Sequence, residues 1–184
     1  MSMTLSNMLP LGTIAPEFRL PDTNSNYDYY FSDLKGSLGT LVIFMCNNCP
    51  FVLHAIEEIE MISNDYRVQG IGVIAISSND VLKNPHDSPA LMTEFAFDNK
   101  IDFPYLFDAT QEVAKAYDAA CTPDFYLFDS NDKLIYRGQL DDSRPHNGIS
   151  LSGNDLRGAI DSIIYNRTLK EPQKPREGCS IQWK

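Results

Sequence analysis

The segment Cys46-Asn47-Asn48-Cys49-Pro50 places two thiols three positions apart, and it is here that chemistry is expected first. The segment follows an almost wholly apolar run, Leu38–Met45, read as a buried strand. It precedes Pro50–Tyr66, where Val52, Ala55, Ile56, Ile59, Ile62 and Tyr66 fall on one helical stripe. The first turn of a helix has free N–H groups and the positive end of the macrodipole, and both favour a thiolate. An ordinary thiol, with a pKa of about 8.5, is only a few per cent ionised at pH 7. Lowering it to about 7 takes about 2 kcal/mol, close to what a macrodipole supplies in a favourable, partly buried site. Cysteines at i and i+3 across a helix start can approach closely enough to form a disulfide. Cys46, nearer the exposed end, is expected to attack, and Cys49, further into the turn, to resolve the mixed disulfide. Pro50 suits a first helical position, where its missing N–H costs nothing.

A C-x-x-C is also half of a zinc site, but zinc takes four ligands. Cys121 and Cys179 stand alone in the sequence, and His54, His86 and His146 are scattered, so dithiol chemistry is preferred and no metal is expected. No glycine-rich phosphate loop occurs, so no nucleotide or other cofactor is expected either. Cys121 reads equally as a small buried apolar residue or as an auxiliary thiol. Cys179 lies on a tail that reads as exposed. There it could act as an extra resolving thiol if the tail folds back, pinned by Trp183 and Ile181; alternatively Trp183 simply covers an apolar patch. Arg144 could offer a guanidinium to a peroxide oxygen, or pair with Asp141 or Asp142. A pure binding module that has kept the fold, and a metallochaperone that binds metal through the thiols, are the remaining classes.

The elements that must position these residues alternate. Ala15–Asp22 and Tyr27–Phe31 read as an N-terminal β-hairpin, and Ile71–Ile76 as a second buried strand. Pro89–Asn99 reads as a helix with Leu91 and Phe95 inward, and Thr110–Tyr117 as a shorter one. Phe125–Phe128 and Leu134–Gly138 form a hairpin around the Asp129–Asp132 turn, a polar loop spans Asp141–Gly153, and a last helix covers about Asn154–Tyr165. This is one α/β domain over residues 1–165, with an extended tail, 166–184, packed on it. The 184 residues are 43% hydrophobic and 22% charged, enough for a core without staples. A formal charge of −10 disfavours nucleic acid and anionic membranes as partners. Met1–Leu11 has no signal-peptide pattern, and no apolar run approaches membrane-spanning length, so a reducing cytoplasmic location is expected.

Cys46–Pro50 after Leu41–Met45, together with Thr122-Pro123 ahead of Phe125–Phe128, resembles the thioredoxin-fold superfamily. The opening Gly12–Asp22 resembles its redoxin branch. Three segments, Ala119–Phe125, Arg137–Pro145 and Gly178–Lys184, resemble a peroxiredoxin-like, thiol-disulfide isomerase subgroup. The resemblance implies a three-layer sandwich with a central mixed sheet flanked by helices. It also implies that Pro123 is cis and faces Cys46 and Cys49, and that Thr122 pairs with a substrate peptide. The activity implied is dithiol–disulfide exchange with protein or small-molecule disulfides, regenerated by a reductant. A peroxiredoxin-like peroxidase using Cys49 or Cys46 is the alternative, and Cys49-Pro50 echoes its site. That site wants Thr three residues before the cysteine and Pro four before the Thr. Cys46 and Val42 hold those places for Cys49, and Ile43 and Gly39 hold them for Cys46. The chain also departs from familiar thioredoxins: Met45 replaces the Trp before the first cysteine, and Leu41–Phe44 has no buried acid to assist Cys49.

Overall fold

The structure is a computed structural model that describes residues 2–169 and 172–184. Its central sheet is built on β4 (Gly39–Phe44), in which every residue is buried. β4 runs parallel to β5 (Ile71–Ser77), which pairs in turn with β6 (Tyr105–Phe107). On its other edge β4 lies antiparallel to β8 (Asp124–Asp129), followed by β9 (Leu134–Gly138), giving the order β6-β5-β4-β8-β9. A strand covered on both faces must be apolar throughout, which is why this segment reads as an unbroken hydrophobic run.

The two faces of the sheet carry separate cores. Leu41 and Ile43 point toward α2 (Pro50–Arg67), α3 (Pro89–Asp98) and α5 (Asn154–Ile164), meeting Ile56, Ile59, Met92, Leu156 and Ala159. Val42 and Phe44 point the other way, toward Phe31 of α1 (Phe31–Leu34) and Ala114 of α4 (Glu112–Ala116). Tyr117 on that side sits edge-on to both Tyr126 and Phe128. The result is the expected three-layer α/β sandwich. The expected N-terminal hairpin is β2 (Arg19–Pro21) paired with β3 (Asp28–Tyr30).

Two expectations need correction. In α3 the buried positions are Met92 and Ala96, while Leu91 and Phe95 are only half-buried. Apolar residues surround most of that helix, so composition does not fix its inward face. The tail is not simply extended: Glu177–Ser180 is a strand, β10, lying between β1 (Met3–Leu5) and β7 (Cys121–Thr122) in a three-stranded antiparallel sheet. Ile181 sinks into the second core, whereas Trp183 stays at the surface with the Lys115 ammonium 5.8 Å from its ring centroid. Lys170 and Glu171 of the tail lie outside the described residues.

Candidate active site

β4 delivers Met45, whose N–H bonds to Ile76 O at 2.9 Å, and the chain then leaves the sheet through Cys46-Asn47-Asn48. Cys49 is the N-cap of α2, with extended backbone (φ −95°, ψ 122°), and Pro50 is the first helical residue. The site thus lies off the C-terminal end of a parallel strand, at a helix start, where α/β sheets gather their functional groups. Asn47 is clamped. Its N–H bonds to Asp87 Oδ1 at 2.8 Å, its side chain donates to His86 O at 2.8 Å, and Tyr105 Oη donates to its Oδ1 at 3.0 Å. Asp87, fully buried in a single 3-10 turn, Pro85–Asp87, also accepts from Asn79 Nδ2 at 2.8 Å.

Opposite the two cysteines stands Thr122, joined to Pro123 by a cis peptide. Thr122 Oγ1 lies 3.3 Å from Cys46 Sγ, and Thr122 O lies 3.2 Å from Cys49 Sγ. The structure therefore brings together Cys46, Cys49, Thr122 and Pro123. It adds Cys179, which pairs with Thr122 across the β10–β7 register and is buried in the same core cluster as Cys46 and Cys49.

Cys46 does not lie at an exposed end as was expected. Both motif cysteines are buried, at 1% and 0% exposure, and Cys49 is the one shifted toward the charged form. Hydrogen bonds from Cys179 and Cys46, then from Thr122 and the Val52 N–H, pull the Cys49 thiol far below its ordinary value, against the effect of burial. The Thr122 carbonyl would favour a protonated Cys49, but that single acceptor is outnumbered by donors at the positive end of α2. Cys46 is pushed far up by its bond to Cys49 and by burial, and the Asp87 carboxylate adds to both. Cys179 is likewise raised, first by its bond to Cys49 and then by burial. These effects favour negative charge on Cys49 over Cys46 and Cys179.

The other candidates fall outside that triad. Cys121 is fully buried, with Sγ toward Pro123 O at 3.9 Å and Arg176 O at 3.8 Å; burial and Asp124 push its thiol up. The Arg144 guanidinium is spent on Asp141 O and Ser143 O at 2.7 Å, on Gln139 Oε1 at 2.6 Å and on Glu177 at 3.6 Å. It meets the backbone of Asp141, not its carboxylate. His54 faces Ser143 Oγ at 3.0 Å, and burial, with Arg176 next, lowers its pKa. Among the described residues no cluster of three or more His, Cys, Asp or Glu could hold a metal ion. A hollow of about 490 Å³ beside α5, lined by Tyr136, Asp155 and Lys174 among others, contains none of the cysteines.

Sequence reasoning missed Asp87 and Asn79, which lie on a polar loop with no motif, and it missed Arg176. It also gave Thr122 the wrong neighbour. The edge at which the resemblance places a substrate peptide is already occupied, because Thr122 pairs with Cys179 of the chain's own β10.

The family model described as Redoxin matches residues 10–151. The chain belongs to the redoxin family. Among solved structures, an uncharacterised conserved protein of Geobacillus kaustophilus is 49% identical over 100% of this chain and 97% of its own, with a TM-score of 0.98. The thioredoxin domain of a thiol-disulfide oxidoreductase from Bacteroides vulgatus is 17% identical over 85% of this chain and 99% of its own, at TM-score 0.66. A peroxidoxin from Mycobacterium tuberculosis is 15% identical over 88% and 100%, also at 0.66. These last two likenesses are of fold. A search of curated proteins finds no match. The fold is thus thioredoxin-like, and thiol redox chemistry is the general function of this redoxin. Among the described residues no helix is long and apolar enough to cross a membrane.

Proposed function

We propose that this redoxin catalyses thiol–disulfide exchange through Cys46 and Cys49, with Cys49 as the thiolate of the reduced protein. The observation that carries this reading is the pair of sulfurs gathered at Thr122, with Cys49 at the N-cap of α2. The Cys49 thiolate attacks one sulfur of a substrate disulfide and forms a mixed disulfide. The other substrate sulfur leaves as a thiolate and takes up a proton. Cys46 then gives up its proton and attacks Cys49 Sγ, closing the Cys46–Cys49 disulfide and releasing the second substrate thiol. Two electrons pass to the substrate, and a thiol reductant returns them. The partners proposed are protein or small-molecule disulfides and such a reductant, in the reducing cytoplasm. Both sulfurs are buried, so the substrate must meet them through a local opening.

The charge on Cys49 also suits a second reading, peroxide reduction, in which Cys49 is oxidised to a sulfenic acid and a neighbouring thiol condenses with it to a disulfide and water. The test supplies reduced protein with either a model disulfide or hydrogen peroxide and follows both rates. Cys49→Ser is expected to lose disulfide turnover entirely, and Cys46→Ser to lose the Cys46–Cys49 disulfide that closes the exchange. Fast peroxide turnover that survives Cys46→Ser would replace the first reading with the second.

A further inference from the structure

Cys179 has no part in that exchange, yet it occupies the same cluster. In the β10–β7 register it lies opposite Thr122, with Ser180 opposite Cys121, and it is 4% exposed. The close approach depends on Gly178, where a Cβ would run into the Thr122 carbonyl. β10 is flanked on both edges, so Cys179 is held by a sheet and not by a loose end. Beyond it the tail is tied to the C-x-x-C segment. Gln182 N–H bonds to Asn79 Oδ1 at 2.8 Å, Asn79 Nδ2 bonds to Asp87, and Asp87 accepts the Asn47 N–H. Asp80 N–H completes the latch on Gln182 O at 2.8 Å.

The geometry points to Cys179 as a third redox thiol, which takes over the disulfide from Cys46 and leaves a Cys49–Cys179 bond that bolts the tail strand to the head of α2. The inference rests on the exchange reading above, which supplies the Cys46–Cys49 disulfide. In the step, Cys179 loses its proton and its sulfur attacks Cys49 Sγ. The Cys49–Cys179 bond forms, the Cys46–Cys49 bond breaks, and Cys46 leaves as a thiolate that takes up the proton. There is no net oxidation. Attack falls on Cys49 because Cys179 lies opposite Thr122, whose carbonyl is 3.2 Å from Cys49 Sγ, whereas Cys46 meets the Thr122 hydroxyl. Cys121 faces carbonyl oxygens instead.

The test uses the full chain carrying Cys46→Ser and the aromatic disulfide dithiobis-nitrobenzoate. If Cys179 resolves the mixed disulfide at Cys49, both halves of the probe are released as aryl thiolate, and peptide mapping finds Cys49 linked to Cys179. Wild-type protein oxidised by the same probe is expected to contain both the Cys46–Cys49 and the Cys49–Cys179 links, which makes the result independent of how any variant folds. A persistent aryl–Cys49 adduct in the Cys46→Ser protein overturns the inference. So does a second release that survives Cys46→Ser with Cys179→Ser, or a link from Cys49 to Cys121. Failure of the exchange reading looks different: Cys46→Ser would not react at Cys49 at all, or the wild-type protein would form no Cys46–Cys49 bond.

Discussion

At the scale of single residues, the charge on Cys49 has a neighbour that no motif announces. Arg176 is fully buried, and among the described residues none of its Nε, Nη1 and Nη2 has a hydrogen-bond partner. Its guanidinium lies 6.0 Å from the centroid of Phe51, the second residue of α2. A buried, unpaired cation costs several kcal/mol. Burial, with Arg144 adding to it, lowers Arg176 to about 10, while Asp141 and the sulfurs of Cys121 and Cys49 pull it back up. The attraction is mutual, so the Arg176 guanidinium favours negative charge on Cys121 and Cys49. Arg176→Leu is expected to raise the Cys49 pKa by about one unit, or about 1.4 kcal/mol. Ultraviolet thiolate absorbance, taken as the difference between proteins with and without Cys49→Ser, measures this. In wild type the absorbance should persist well below the ordinary thiol range, and in Arg176→Leu it should fade at higher pH. An identical titration would remove Arg176 from the site. In the sequence Arg176 stands in a proline-containing polar tail, where an arginine reads as solvated, and only the long-range fold buries it.

Among the elements, α5 depends on one backbone conformation at its start. Gly153 is its N-cap at φ +64°, and a Cβ there would meet the carboxylate of Glu58. That carboxylate is itself buried and paired with Arg157 Nε at 2.5 Å. Gly153 N–H and Ser152 N–H bond to Asp141 Oδ2 at 2.7 and 2.6 Å. Burial raises the Asp141 carboxyl, but these bonds and those from Ser143 outweigh it and hold it at about 2. The irregular loop between β9 and α5 is therefore fastened at both ends by one carboxylate. Gly153→Ala is expected to cost about 1–3 kcal/mol through the left-handed backbone alone. The loss should appear as a lower urea midpoint at unchanged slope. An unchanged midpoint would mean that the loop re-forms around the methyl group. How legible each element is follows from how local its cause is. β4, β5 and α2 carry their own periodicity and were readable within a residue or two. β1, β7 and β10 have four residues or fewer and exist only because each pairs with a distant segment. No window of sequence contains that cause.

For the molecule as a whole, the sandwich and the position of the C-x-x-C motif at the end of β4 were both written in the alternation of strand and helix. The closure of the site was not. Joining Met3–Leu5 to Glu177–Ser180 brings segments from the two ends of the chain beside Thr122, and this contact buries Cys179. It also explains why a thiol that looked exposed in a polar tail lies next to Cys49. Trp183 is the single tryptophan of the sequence, and it rides on this same segment with a lysine ammonium against its ring. Its carbonyl is held by Lys83 Nζ at 2.5 Å. The indole's emission is thus a built-in optical gauge of whether the latch is shut, and it needs no added label. Asn79→Ala, which removes the bridge between Gln182 and Asp87, should shift that emission to the red, and an unmoved spectrum would show the latch holding without it. Followed in a rapid-mixing fluorimeter with a disulfide added, the same glow shows whether the tail moves as the thiols react.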